Sequence, residues 1–193
     1  LPEKDYLRTQ VIDLLSSPYF QLDSSGMEKV LPRPDMWDLA TRELAICKGI
    51  QEWRRLQNYT TRDLILSQVS HDDEPRVIRI AAAQIRGLAN IFNEISIDLE
   101  TLPPQASWSH YVGAWKELLK KYLGISSGND ELELENSEDL VRAEILAILD
   151  RLAGLDAMRA HTSLSDFSQT FQHWLERCTV AAPPLNAAGV AVL

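Results

Sequence analysis

Apolar side chains recur every three or four residues along most of the chain, the period of a helix with one buried face. A first helix is predicted over 3–16, with Leu7, Val11, Leu14 and Leu15 on one side. It stops at Ser16-Ser17-Pro18, because the residue before a proline avoids the α region. A Ser/Gly/Pro-rich loop covers 17–34. Asp35 is then the expected N-cap of a helix over about 36–48, through Trp37, Leu39, Ala40, Leu44 and Ile46, with Gly49 at its C′ position. Ile50, Trp53 and Leu56 share one face of a short helix in GIQEWRRLQNY. The segment 60–75 is ambiguous, fitting a helical turn and then a polar loop.

The clearest pattern starts at Pro75, where a missing N–H does no harm in a first helical turn. Val77, Ile80, Ala81, Ile85, Leu88, Ile91, Phe92, Ile95 and Leu99 keep a helical period until Pro103-Pro104. Ser107 caps a helix over about 108–123, with Trp108, Val112, Trp115, Leu118, Leu119 and Tyr122 as its apolar stripe and Gly124 closing it. The polar, acidic stretch 124–139 is expected to be mobile. Asn136 or Ser137 opens a helix over 138–160 on Val141, Ile145, Ile148, Leu152 and Leu155. Ser163 with Asp166 resembles a capping box for a last helix over 164–178.

The pattern therefore predicts an all-α, irregular multi-helix bundle of about six to eight helices over 1–180. There is no internal repeat and no convincing hairpin. A Pro/Ala linker and a truncated strand, GVAVL, occupy 181–193. A strand with no partner ends a domain poorly, and the helix-like start lacks an initiator Met, so both ends are expected to be cuts in a longer protein.

Composition narrows this little. The 193 residues carry 28 acidic and 19 basic side chains, a net charge of −9. That balance argues against a stand-alone nucleic-acid binder, which is usually basic. Arginine supplies 13 of the 19 cations, which favours pairing with phosphate or carboxylate. Cys47 and Cys178 lie far apart, with no CxxC and no His in ligand spacing, and are expected to be buried thiols of a reducing cytoplasm. No apolar run is long enough to span a bilayer, and the first ten residues are not a signal peptide.

Catalytic chemistry is missing from the sequence. Neither GxxxxGK[ST] nor GxGxxG occurs, which excludes nucleotide sites built on those loops. His71, His110, His161 and His173 fall on different elements and form no HExxH pair. Asp72-Asp73-Glu74 and the alternating Glu131, Glu133 and Glu135 are read as solvated charge. The five tryptophans fall on helical faces and are expected in the core. No catalytic residue, metal ligand or cofactor site is predicted.

The basic clusters are the remaining candidates for contact with DNA phosphates. Arg54 and Arg55 follow Trp53 directly, Arg76, Arg79 and Arg86 are expected on one side of the long helix, and Lys116, Lys120 and Lys121 form a third group.

Several strings, in order, are similar to those of a known family. LLSSPYF at 14–20 resembles the LLxSPhh segment of AddB-type helicase–nuclease subunits and related UvrD-like superfamily 1 helicases. IQEWRRLQ at 50–57 resembles their hxxWxxRL helix, and LPPQASWSHYVGAWKELLKKYLGI at 102–125 a later helical stretch. GVAVL resembles the strand preceding their ARG motif. The resemblance implies the helical insertion, or 2B-type, domain of a subunit that processes DNA double-strand ends in recombinational repair. That parent works in the cytoplasm with a partner helicase–nuclease subunit. Its ATP and nuclease motifs would lie outside this chain, so no catalytic residue carries over. The implied role is to guide DNA, to dock the partner, or both. A stand-alone helical protein-interaction scaffold is the competing expectation.

Overall fold

A computed structural model of the chain describes residues 5–21, 32–68, 76–123 and 137–178. These residues are mainly helical, as the periodicity predicts. The elements are α1 (Arg8–Ser16), α2 (Pro34–Glu43), α3 (Ile50–Arg54), β1 (Leu64–Gln68), β2 (Arg76–Ile80), α4 (Ala82–Glu100), β3 (Gln105–Ala106), α5 (Trp108–Leu123), α6 (Ser137–Ala153), β4 (Thr162–Ser163) and α7 (Leu164–Arg177). Single 3₁₀ turns follow α3 over Arg55–Tyr59 and α6 over Gly154–Ala157. Residues 124–136 of the predicted acidic stretch and GVAVL lie outside the described residues, while 137–139, expected in that stretch, open α6.

Packing divides the chain into two compact units, Leu1–Pro103 with Lys121–Gly124, and Pro104–Lys120 with Ile125–Leu193. In the first, α4 is the spine. Ile85, Leu88, Ile91, Phe92, Ile95 and Leu99 are all buried along it. The Phe92 ring stacks on Trp53 with centroids 4.5 Å apart, and Tyr6 meets it edge-on. Trp53 also donates its indole N–H to the Tyr6 carbonyl at 2.8 Å, so the predicted face of α3 sits in the core. The Trp37 indole donates to the Gln84 carbonyl at 3.1 Å, fastening α2 to α4. Buried aromatics of this size each favour folding by about 1.5–3 kcal/mol through lost apolar hydration.

The second unit is built on rings. Trp108, Tyr111 and Trp115 of α5 pack against Phe167 and Phe171 of α7, and Ile148, Leu149 and Leu152 bring in α6. The starts of α5 and α7 are capped as the sequence indicates; the cap expected at Asn136 or Ser137 of α6 is not among the described contacts. The Ser163 hydroxyl accepts the Asp166 N–H at 3.0 Å, and the Ser107 hydroxyl accepts that of His110 at 3.1 Å. A two-residue ladder between β3 and β4 joins Gln105 to Ser163 and Ala106 to Thr162.

Several expectations need correction. The helix predicted from Pro75 begins at Ala82, and 76–80 pair instead with 64–68 as an antiparallel hairpin, Leu66 opposite Ile78. The sequence of β2 alternates: Ile80 is buried while Val77 and Arg79 face out. A period of two was read as 3.6 because Val77, Ile80 and Ala81 fit both. Gly49 does not close α2. That helix ends at Glu43, and Ala45, in the left-handed region at φ 49°, is its C′ residue. Gly49, at φ 78°, precedes α3 instead. Pro34 rather than a capping Asp35 starts α2. The helix expected to reach 160 ends at Ala153 and tightens into the 3₁₀ turn. Cys47 is exposed and Cys178 half-exposed, so neither is the buried thiol expected.

Candidate functional site

The eight basic candidates do not share one environment. Arg76 and Arg79 stand on β2 and Arg86 on α4, so the expected row along a single helix does not exist. Arg79 is ion-paired to Asp63, whose other oxygen accepts the Ala82 N–H at 2.9 Å. Asp63 thus caps α4 from a distance. The Ala82 N–H and then Arg79 hold its carboxyl below the usual range.

Arg55 is used structurally as well. Its Nη2 donates to the Ala45 carbonyl at 2.8 Å, and it lies 3.9 Å from Glu52. Glu52 accepts the N–H groups of Cys47 at 2.6 Å and Lys48 at 3.0 Å, and these bonds hold its carboxyl low.

Lys116 is paired with Asp150 at 2.6 Å. Lys121 reaches Asp98 at 2.6 Å and Glu94 at 2.8 Å. Partial burial opposes its charge, but the hydrogen bonds to Asp98 and Glu94 outweigh that and raise its pKa. Arg54 and Lys120 are exposed and have no ion-pair partner among the described residues; they belong to different units. Arg86 is exposed on α4.

Trp53 is only 1 % exposed, which rules out base stacking beside Arg54 and Arg55. Trp37 and Trp108 are core residues as expected, whereas Trp174 is half-exposed. Among the described residues, no three His, Cys, Asp or Glu side chains are grouped to hold a metal ion. No helix among them is long and apolar enough to cross a membrane.

The surface feature that sequence reasoning missed is the hairpin. Its inner face, led by Leu66 and Ile80, meets the core, while Ile65 and Val77 on the outer face are 64 % and 65 % exposed. Arg79 lies directly across from Ile65 and Ser67 across from Val77, which places the two apolar side chains diagonally on one face. Diagonal neighbours of this kind lie within reach of each other. The signal was present in LILSQ, a short aliphatic run, and in RVIRI, a β-branched run whose faces alternate.

Comparison with protein-family models, with curated proteins and with solved structures finds no match.

Proposed function

We propose that this chain is a non-catalytic helical domain of a helicase–nuclease subunit of DNA double-strand-break repair, and that it acts chiefly by docking the partner subunit. The observation that carries docking over DNA gripping is the outward Ile65–Val77 pair. Two large aliphatic side chains held in water on the outer face of the β1–β2 pair favour a protein contact, since burying each removes apolar surface from water. The cations point the same way. Arg55, Arg79, Lys116 and Lys121 are already engaged by carboxylates of their own units. The repair context rests on the ordered strings at 14–20, 50–57 and 102–125.

The test is assembly of the parent subunit with its partner, measured by analytical ultracentrifugation. Ile65→Lys with Val77→Lys is expected to lower the affinity at least tenfold, equivalent to about 1.4 kcal/mol, without changing the melting point of the subunit. Full-strength assembly by the doubly substituted subunit would overturn the docking role.

DNA guidance is the second reading, favoured by Arg54 and Lys120, which are exposed and have no ion-pair partner among the described residues. It requires that the chain bind forked DNA at about 50 mM salt and release it at about 200 mM, with a shallower salt slope once both residues are replaced by Ala.

A further inference from the structure

A cleft of about 430 Å³ lies between α6 and α7, within the second unit. Helix α6 supplies Glu144, Ile148 and Arg151, and α7 supplies His173, Trp174 and Arg177. Spacings of four and three place Glu144, Ile148 and Arg151 on one face of α6; His173 and Trp174 lie four and three residues before Arg177, within a turn of it on α7. Ile148, 2 % exposed, forms the floor. Both arginines are exposed at the rim.

Each guanidinium is oriented by a neighbour. Arg151 is ion-paired to Glu144, and the Nη1 of Arg177 lies 3.3 Å from the Nε2 of His173. Arginine can only donate, so this contact is a hydrogen bond in the tautomer that leaves Nε2 free to accept. The contact orients Arg177 through a ring nitrogen and not through a carboxylate. With two arginines and one carboxylate, the cleft keeps an excess positive charge in a chain of net −9. The acidic residues next along these helices are turned to other partners: Asp150 pairs with Lys116, and Glu176 accepts from Gln172.

We infer that this cleft binds a nucleoside phosphate, with the phosphate on Arg177 and Arg151 and the base against the Trp174 indole. Guanidinium forks match phosphate oxygens two at a time. An indole beside them gives a base a flat apolar surface, which favours stacking. The volume suits one small organic ligand and is far too small for a duplex. None of these residues is among the cations the sequence singled out, and the inference does not rest on the docking reading. The shared chemistry has two sources, a free nucleotide and the phosphorylated end of a single strand.

The test is calorimetric titration of the whole chain at about 50 mM salt with dAMP, deoxyadenosine, inorganic phosphate, and a short single strand with and without a 5′-phosphate. At least one phosphorylated nucleotide probe is expected to bind about tenfold or more tightly than deoxyadenosine or inorganic phosphate. Arg177→Ala should weaken it about tenfold, with an unchanged melting point. Trp174→Ala should weaken nucleotide binding and leave phosphate binding alone, whereas Trp174→Phe, which keeps a ring in place, should retain most of it. Preference for the 5′-phosphorylated strand over dAMP identifies a strand end as the ligand, and equal affinity identifies the free nucleotide. Absence of binding by every phosphorylated nucleotide probe, equal affinity for phosphate and nucleotides, or undiminished binding by Arg177→Ala would overturn the assignment.

Discussion

Arg55 closes the end of α2: its Nη2 donates at 2.8 Å to the carbonyl oxygen of Ala45, a residue held at φ 49°. The Ala45 N–H reaches the Arg42 carbonyl at 2.9 Å, and the Ile46 N–H reaches that of Thr41 at 2.9 Å. This is the paired hydrogen bonding of a Schellman ending, and Ile46, 1 % exposed, supplies the apolar contact that accompanies it. A side chain offered by the sequence as a phosphate contact is thus a brace for a helix terminus.

The left-handed position of Ala45 is normally glycine's, and a Cβ there costs roughly 1 kcal/mol. Ala45→Gly should remove that cost and stabilise the chain by somewhat less than 1 kcal/mol, since glycine also gains freedom in the unfolded chain. Urea unfolding at neutral pH measures it. A lower midpoint for the glycine variant would mean that the Ala45 methyl makes a contact worth more than its strain.

Arg55→Ala separates the structural role from a DNA role. The loss of the bond to Ala45 and of the contact to Glu52 should lower stability by about 1 kcal/mol. Forked-DNA affinity and its salt slope should not move beyond the effect of partial unfolding. A slope reduced by about one in a still-folded variant would return Arg55 to the phosphate-contact set.

Acid sensitivity follows from three carboxylates that hold backbone N–H groups. Asp156 accepts those of Trp108 at 2.7 Å and Ser109 at 3.1 Å, capping α5 from 48 residues away. Asp63 does the same for α4, and Glu52 for the turn after α2. Contacts with Ser109 hold the Asp156 carboxyl low, as the bonds from Ala82 and Cys47 do for Asp63 and Glu52. A carboxyl whose pKa is depressed by folding contributes fully above its unfolded value, near 3.8 for Asp and 4.5 for Glu. That contribution is lost as pH falls through the folded value. The melting temperature should therefore be level above about pH 5 and drop steeply below about pH 4. Asp156→Asn should flatten part of that acid limb, and a limb identical to wild type would show that the α5 cap does not contribute to it.

Much of this architecture was legible in the chain and some was not. Ser107, Ser163 and the apolar stripes of α4 and α5 announce themselves because their partners lie within one or two turns. The cap at α5 is invisible for the opposite reason: Asp156 is paired with a helix start by folding, not by spacing. The hairpin was hidden by a coincidence of periods around Val77 and Ile80, and the end of α2 by the rarity of alanine in the left-handed region. Among the candidate cations, composition could not separate Arg55, tied to Ala45, from Arg54, exposed one position away. The Arg151–Arg177 cleft was missed because its residues are distant in sequence and each looks like an ordinary helical surface charge.

The stacked pair at the centre of the first unit gives a large stability prediction. Phe92 is 4 % exposed, packs face to face on Trp53 at 4.5 Å, and touches Tyr6 edge-on at 5.4 Å. Phe92→Ala would leave a void between three elements, and deletions of this kind cost about 3–5 kcal/mol. Phe92→Leu fills most of the volume and loses the ring contacts, so about 1–2 kcal/mol is expected. Denaturant unfolding followed by tryptophan emission reads both, with Trp53 itself as a reporter.

The Asp98 network makes a finer claim. One oxygen of Asp98 accepts both the Tyr122 hydroxyl and the Lys121 ammonium at 2.6 Å, while Phe20 stacks on the Tyr122 ring at 5.8 Å. Burial first, and Asp98 second, hold the Tyr122 phenol well above its usual range. Tyr122→Phe removes a donor and leaves Asp98 still bound by Lys121, so it should cost about 1 kcal/mol or less. Asp98→Ala removes the acceptor shared by the largely buried hydroxyl and the ammonium, leaves Tyr122 only its contact with Lys121, and should cost about 1–3 kcal/mol. If the two side chains act through one bond, the double variant falls short of the sum of the singles by about 1 kcal/mol, a coupling that a double-mutant cycle in urea resolves. Additive losses would mean that Lys121 and Glu94 hold this corner together and that the tyrosine hydroxyl contributes nothing through Asp98.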